Sequence, residues 1–251
     1  MKTENYNLSH FNFISLDDLK KVRLLDRKDT KFVFNKSKLP VLLDKIKSSY
    51  QVLKIEGVRN FTYENTYFDT DDFLFYQQHH NEKRNRFKVR FRKYSTTEDC
   101  YFEIKMKNNK NRTIKNRMQV DGMNNILGDT ENQLITEITG LSPKNLTPKI
   151  SIQFSRITLA DNDYNERLTI DTGLSVKNGK NSMIFDQLVI SEIKQKKYNP
   201  KSDYIQMLRN LKIPEMRFSK YCMGMLHVYK KIKYNRFKPK LIQINKILTQ
   251  E

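Results

Sequence analysis

The stretch from Asn85 to Tyr94 reads NRFKVRFRKY. Its period-two alternation makes it a strand with Arg86, Lys88, Arg90 and Arg92 on one face and Phe87, Val89 and Phe91 on the other. Neighbouring cations on such a face stand roughly 7 Å apart. At an effective dielectric of about 20, each neighbouring pair repels by roughly 2 kcal/mol before salt screening. A chain that repeats this pattern needs relief: solvent on an open face, acids on facing strands, or an anionic ligand.

The pattern repeats. YFEIKMK sets Glu103, Lys105 and Lys107 against Phe102, Ile104 and Met106. After the turn NNKN, RTIKNRMQV sets Lys115, Arg117 and Gln119 against Ile114, Met118 and Val120. RKDTKFVF groups Arg27, Asp29 and Lys31, ERLTIDT carries Arg167, and FTYENTYFD is an aromatic, β-branched strand. In KISIQFSRITLA, Arg156 continues the stripe Ile150, Ile152, Phe154; in QLVISEIKQK, Glu192 and Lys194 continue Leu188 and Ile190. A half-solvated sheet explains any one of these strands. A cation that prolongs an apolar stripe is better explained by a lumen lined with charge, where a ligand or nearby acids compensate burial.

Helices are expected around the strands: SLDDLKKV with Ser15 as N-cap, SKLPVLLDKIKSS, NPKSDYIQMLRNL and SKYCMGMLHVYKKI. Tyr221 and Met223 fit the apolar face of the last of these, and the adjacent His79 and His80 read as a surface pair. Some eight short-looped strands predict an α+β fold, an eight-stranded antiparallel β-barrel with helices packed around the outside. Residues 1–234 are expected to form a single tunnel domain, and residues 235–251 a basic C-terminal tail that frays.

Composition narrows the ligand. The 251 residues include 47 basic and 28 acidic side chains, a net charge of +19 that favours polyanions. There is no GxxxxGK or GxGxxG to cradle a mononucleotide, and no zinc-finger or RNP-like signature. Nucleic acid is disfavoured because the cations alternate into strands instead of forming an exposed arm. Cys100 and Cys222 make no disulfide framework. No apolar run predicts a transmembrane segment, and the N-terminus lacks a signal-peptide core, so a cytoplasmic setting is expected. A linear oligophosphate suits a narrow cationic tunnel, since arginine forks match phosphate oxygens.

The ordered set YENTYFDTDDFLFYQQH, NRFKVRFRKY, YFEIKMK, TIKNRMQV, RLTIDTGL, LVISEIK and RFSKYCMG resembles the VTC domain of polyphosphate polymerases, in the triphosphate tunnel metalloenzyme superfamily. The similarity runs from about residue 26 to 224. It implies an eight-stranded tunnel that binds ATP with Mn²⁺ or Mg²⁺ and transfers the γ-phosphate to inorganic polyphosphate. On this resemblance the catalytic cations are Lys31, Arg90, Arg92, Lys105, Lys115, Arg156, Arg167 and Lys220. Arg27, Arg117, Lys194, Arg217 and Ser219 are phosphate-binding, and Glu192 matches the family's metal ligand. Two departures stand out. The superfamily's Glu-x-Glu-x-Lys appears as Arg27-x-Asp29-x-Lys31, losing a carboxylate, which favours the polymerase over the hydrolytic branch. Arg217 also stands where the last motif often has Lys. A tripolyphosphate or nucleoside-triphosphate hydrolase, and a non-catalytic polyphosphate binder, are the alternatives. Glu103 is expected to neutralise Lys105 across the barrel.

Overall fold

Each segment with a clean period-two pattern is a strand in the computed structural model, which describes residues 6–22, 27–110 and 112–249. In chain order the elements are β1 (Phe13–Ile14), α1 (Leu16–Lys21), β2 (Lys28–Asn35), α2 (Leu39–Ile46), β3 (Tyr50–Leu53), β4 (Phe61–Asp69) and α3 (Leu74–His80). Then come β5 (Arg86–Tyr94), β6 (Cys100–Lys107), β7 (Thr113–Val120), α4 (Asp129–Thr139), β8 (Thr147–Asp161) and β9 (Glu166–Lys177). β10 (Ser182–Phe185), β11 (Leu188–Gln195), α5 (Asp203–Asn210), α6 (Lys220–Val228) and α7 (Lys238–Leu248) complete the chain. Part of the expected NNKN turn, Asn111, lies outside the described residues.

The main sheet runs β2-β11-β9-β8-β4-β5-β6-β7, every neighbouring pair antiparallel. The eight strands on this path are the eight expected, but they do not close into a barrel. Among the described residues β2 and β7 share no ladder. The free edge of β2 is already occupied: Phe32 bridges Glu215, and Met216 N donates to Lys31 O at 2.8 Å. Closure would also press Lys115 and Arg117 of β7 against the lysines of β2 and β11. The sheet curls instead, bringing Arg27 and Lys194 from one end and Lys115 and Arg117 from the other onto one cavity.

Each face has its own core. Outside, α2 and α5 place Leu39, Leu42, Leu43, Ile46, Tyr204, Ile205 and Leu208 against Phe32, Phe34, Val189 and Ile193. α3 and α4 cover Val89, Phe91, Phe102 and Ile104 with Phe75 and Ile135. Inside, α6 packs on the apolar end of the stripes, with Tyr221, Met223 and Met225 joining Ile150, Ile152, Phe154 and Val176. Gly224 lets the helix approach: a Cβ there would lie 3.0 Å from Val176 Cγ1 and 3.1 Å from Ile150 Cδ1. The inner face is thus apolar where α6 plugs it and cationic beyond.

One further expectation is corrected. His79 and His80 are not a surface pair: His80 is 2% exposed, and burial drives the His79 ring down to about 2. The basic tail is helical over most of its described length. Its residues 238–248 form α7, with Ile244 and Ile247 in the inner core and Asn35 Nδ2 donating to Ile247 O at 2.8 Å. Ile244→Ala is expected to cost about 2–4 kcal/mol in urea unfolding. A fraying tail would give a change near zero.

Candidate functional site

Register alone creates the central electrostatic problem. Lys88, Lys105 and Lys115 stand directly opposite one another across β5, β6 and β7. Directly opposed like charges destabilise a sheet. The two outer lysines find relief: Lys88 Nζ donates to Ser219 Oγ at 3.1 Å, and Lys115 Nζ reaches Glu103 Oε1 at 2.5 Å. Lys105, in the middle, has no ion pair among the described residues. Repulsion from Arg90, burial, and repulsion from Arg92 and Lys115 hold its ammonium well below the lysine range.

Glu103 therefore serves other partners than the expected Lys105. It is fully buried and accepts from Arg90 Nε at 2.8 Å and Nη2 at 2.5 Å, while Lys115 takes its second oxygen. Burial would raise its pKa, but Arg90, Arg92 and Lys115 hold the carboxyl well below the usual range. Arg90 Nη1 also donates to Tyr67 Oη at 2.8 Å, and Arg92 Nε to Asn65 Oδ1 at 2.8 Å.

The facing wall repeats the arrangement. Arg156, opposite Asp171 in the ladder, binds it through Nε at 2.5 Å and Nη2 at 2.7 Å, and Lys220 shares the same carboxylate. Against the effect of burial, Arg156 and Lys220 hold Asp171 down to about 2. Glu192 Oε1 accepts from Lys31 at 2.8 Å and Lys194 at 2.6 Å. Lys194 also reaches Asp29 at 3.4 Å, which Arg27 Nε contacts at 3.0 Å. The Nε of Arg167 is buried with no hydrogen-bond partner.

Between the walls lies a cavity of about 460 Å³. Arg27, Arg92, Lys115, Arg117, Arg156, Arg167 and Lys194 line it. Lys31, Arg90, Lys105, Lys220, Ser219 and Glu192 belong to the same charged network but lie outside that lining. Arg217 is not brought in: it is exposed and acts instead on Lys107, together with Arg86. Sequence reasoning passed over Asp171, although it shares the alternation Arg167, Thr169, Asp171. It also passed over the aromatic seats. Arg156 and Arg92 lie 5.1 and 5.3 Å from the Tyr63 ring centre, and Arg117 4.2 Å from that of Tyr101. An apolar wall of Leu16, Leu19, Val22, Leu53 and Ile55 from around α1 and β3 had no chemical signature to find.

No group of three metal-ligating side chains occurs among the described residues. Glu192 and Asp29, joined through Lys194, are hard oxygen donors of the sort that hold Mg²⁺ or Mn²⁺ when substrate phosphates and water complete the shell. The donor set thus fits a cation that arrives with phosphate.

The VTC domain family model matches residues 26–229. No curated protein matches the chain. A solved structure from Hippeastrum, of a protein assigned as an adenylyl cyclase and found to have a dominant triphosphatase activity, is similar at 12% identity and a TM-score of 0.54. The similarity covers 82% of this chain and 98% of that one. A protein from Vibrio parahaemolyticus assigned as an adenylate cyclase is similar at 10% identity and a TM-score of 0.45, covering 78% and 97%.

Lys105→Met removes a charge that is penalised in the folded state. The penalty is fully present below the depressed folded pKa and fades as pH rises toward the ordinary lysine value. At neutral pH the variant is expected to melt a few degrees higher than the parent by calorimetry. Its affinity for tripolyphosphate is expected to fall by about tenfold or more.

Proposed function

The chain belongs to the VTC-domain family, and we propose that it is a polyphosphate polymerase that moves the γ-phosphate of ATP onto the end of an inorganic polyphosphate chain. The observation that carries this reading is the unbalanced inner face. Lys88, Lys105 and Lys115 stand abreast, Arg167 has an orphaned nitrogen, and the cations outnumber the carboxylates Asp29, Glu103, Asp171 and Glu192. A linear polyanion supplies the missing charge along the whole face; a compact monoanion would satisfy one end of it.

Phosphoryl transfer asks mainly for alignment and charge neutralisation. A terminal oxygen of the acceptor chain attacks the γ-phosphorus of ATP; the bond to the β–γ bridging oxygen breaks, and ADP leaves with that electron pair. The acceptor oxygen is already anionic, so no general base is required. Arg92, Arg156 and Arg167 hold phosphate oxygens, their planes fixed by Asn65, Asp171 and the Tyr63 ring where those contacts exist. Lys31, Lys105, Lys115 and Lys220 stabilise the charge that spreads over the transferred group. Arg90 is committed to Glu103 and Tyr67 and keeps Glu103 ionised beside Lys115. A divalent cation held by Glu192 would neutralise phosphate charge and polarise the transferred group.

Hydrolysis of a triphosphate, the activity described for the Hippeastrum protein, is the second reading and rests on the shared fold. Incubation with ATP and Mn²⁺ separates the two. Long chains on a gel are expected; orthophosphate alone would replace polymerase with hydrolase. Glu192→Ala is expected to lower turnover at least a hundredfold while leaving polyphosphate binding within a few fold. Binding without turnover under any divalent metal would leave a non-catalytic binder.

A further inference from the structure

The cation face has a second end that the cavity does not reach. On β5, β6 and the turn between them the cavity is lined at Arg92, Tyr94, Asp99 and Tyr101, whereas Arg86 and Lys107 stand opposite each other at the other end. Arg86 Nη1 donates to Lys83 O at 2.7 Å, in the turn that follows α3. The segment leading into α7 is fastened to this same corner. Tyr76 Oη donates to Lys233 O at 2.6 Å, Arg236 N to His80 Nε2 at 3.3 Å, and Arg236 Nη1 to Asn81 O at 3.0 Å.

That segment is unusual in its charge. Residues 230–249 contain no Asp or Glu. Lys230, Lys231, Lys233, Arg236 and Lys238 are exposed, Lys240 is half-buried, and none forms a salt bridge among the described residues. Phe237, Ile244 and Ile247 are buried beneath them, so the charges ride on a docked scaffold. Burial pushes the Cys222 thiol up, while Lys88, the Ser219 hydroxyl, Lys240 and Arg86 pull it down, so Lys240 and Arg86 lie near the same side chain as Lys88.

We propose that residues 230–240 form an exosite for long inorganic polyphosphate, which binds the part of the chain extending beyond the far end of the cation face. This rests on the polyphosphate reading of the inner face but is tested separately from catalysis. The favoured occupant is a linear polyanion because the surface continues the cation row past Lys88 and Arg86, and five of the eight exposed residues in 230–240 are basic and none acidic. Tyr234 and Ile242, 45% and 58% exposed, are the apolar exceptions that an anionic bilayer would use. The exosite adds contacts in proportion to chain length, so it discriminates long chains from tripolyphosphate without altering the reacting centre.

The test is binding in the absence of ATP, which separates it from turnover. Lys230→Gln, Lys231→Gln, Lys233→Gln and Lys238→Gln are combined in one variant. A control combines Lys45→Gln, Lys144→Gln, Lys180→Gln and Lys201→Gln, exposed positions elsewhere that lower net charge equally. Affinity for long-chain polyphosphate is expected to drop about tenfold or more in the first variant, with a shallower salt dependence, and to change little in the control. Tripolyphosphate affinity is expected to stay within about twofold in both, a check on folding and on the inner face. Equal losses in the two variants, or no loss in the first, overturn the exosite. Loss of binding to phosphatidylserine vesicles with long-chain affinity retained also overturns it and assigns the surface to a membrane. If ATP yields no polymer but the binding pattern holds, the polymerase reading fails and the exosite stands.

Discussion

Three carboxylates of the inner face, buried Glu103 and Asp171 and half-buried Glu192, are each held between two cations: Glu103 between Arg90 and Lys115, Asp171 between Arg156 and Lys220, Glu192 between Lys31 and Lys194. Every trio is therefore fixed in place yet left with a net positive charge. Removing the acid from such a cluster would strand buried cations at a cost of about 3–5 kcal/mol. Adding a second acid would neutralise the charge that a ligand must find. One acid between two cations is the ratio that holds the side chains rigid and still leaves them attractive to an anion, which is the preorganisation electrostatic catalysis requires.

The sheet is organised around these trios. Antiparallel register sets Arg90 opposite Glu103, Arg156 opposite Asp171 and Lys31 opposite Glu192, so each central contact is a cross-strand pair. Apolar clusters under α2 and α5, and under α3 and α4, anchor the outer face, and α6 closes the apolar half of the inner face. The Ser219 cap of α6, whose Oγ accepts from Cys222 N at 3.2 Å, also receives Lys88, so a helix terminus completes the charged half. An open seam between β2 and β7 is compatible with this design because the two flanks repel.

The strands were legible because period-two alternation is a local property, and NRFKVRFRKY or QLVISEIKQK needs no partner to show it. The position of Arg156 at the end of an apolar stripe was legible for the same reason. Closure was not, because nothing local records that residues 215–216 take the edge of β2. The helix α3 was also hidden. Its N-cap is Phe73 at φ 60°, and its first amides are satisfied from a distance by Asp69, which accepts from Phe75 N at 2.8 Å and Tyr76 N at 2.9 Å. In α7, the Ile244 and Ile247 stripe was masked by the surrounding lysines, and its docking on Asn35 is a contact across most of the chain. Glu103 was assigned to Lys105, its neighbour on the same strand, because alternation gives the face of a residue but not the register that sets Arg90 opposite it and brings Lys115 within reach.

Lys105 is the pivot of this face: its cationic neighbours and burial disfavour its ammonium form, and an arriving anion would favour it. Titration calorimetry of tripolyphosphate binding, on the alkaline side of neutrality and in two buffers of different ionisation enthalpy, counts the protons exchanged. Binding should restore the ordinary lysine pKa, so the parent protein takes up protons relative to Lys105→Met. Identical proton counts and identical affinities in the two proteins would contradict it.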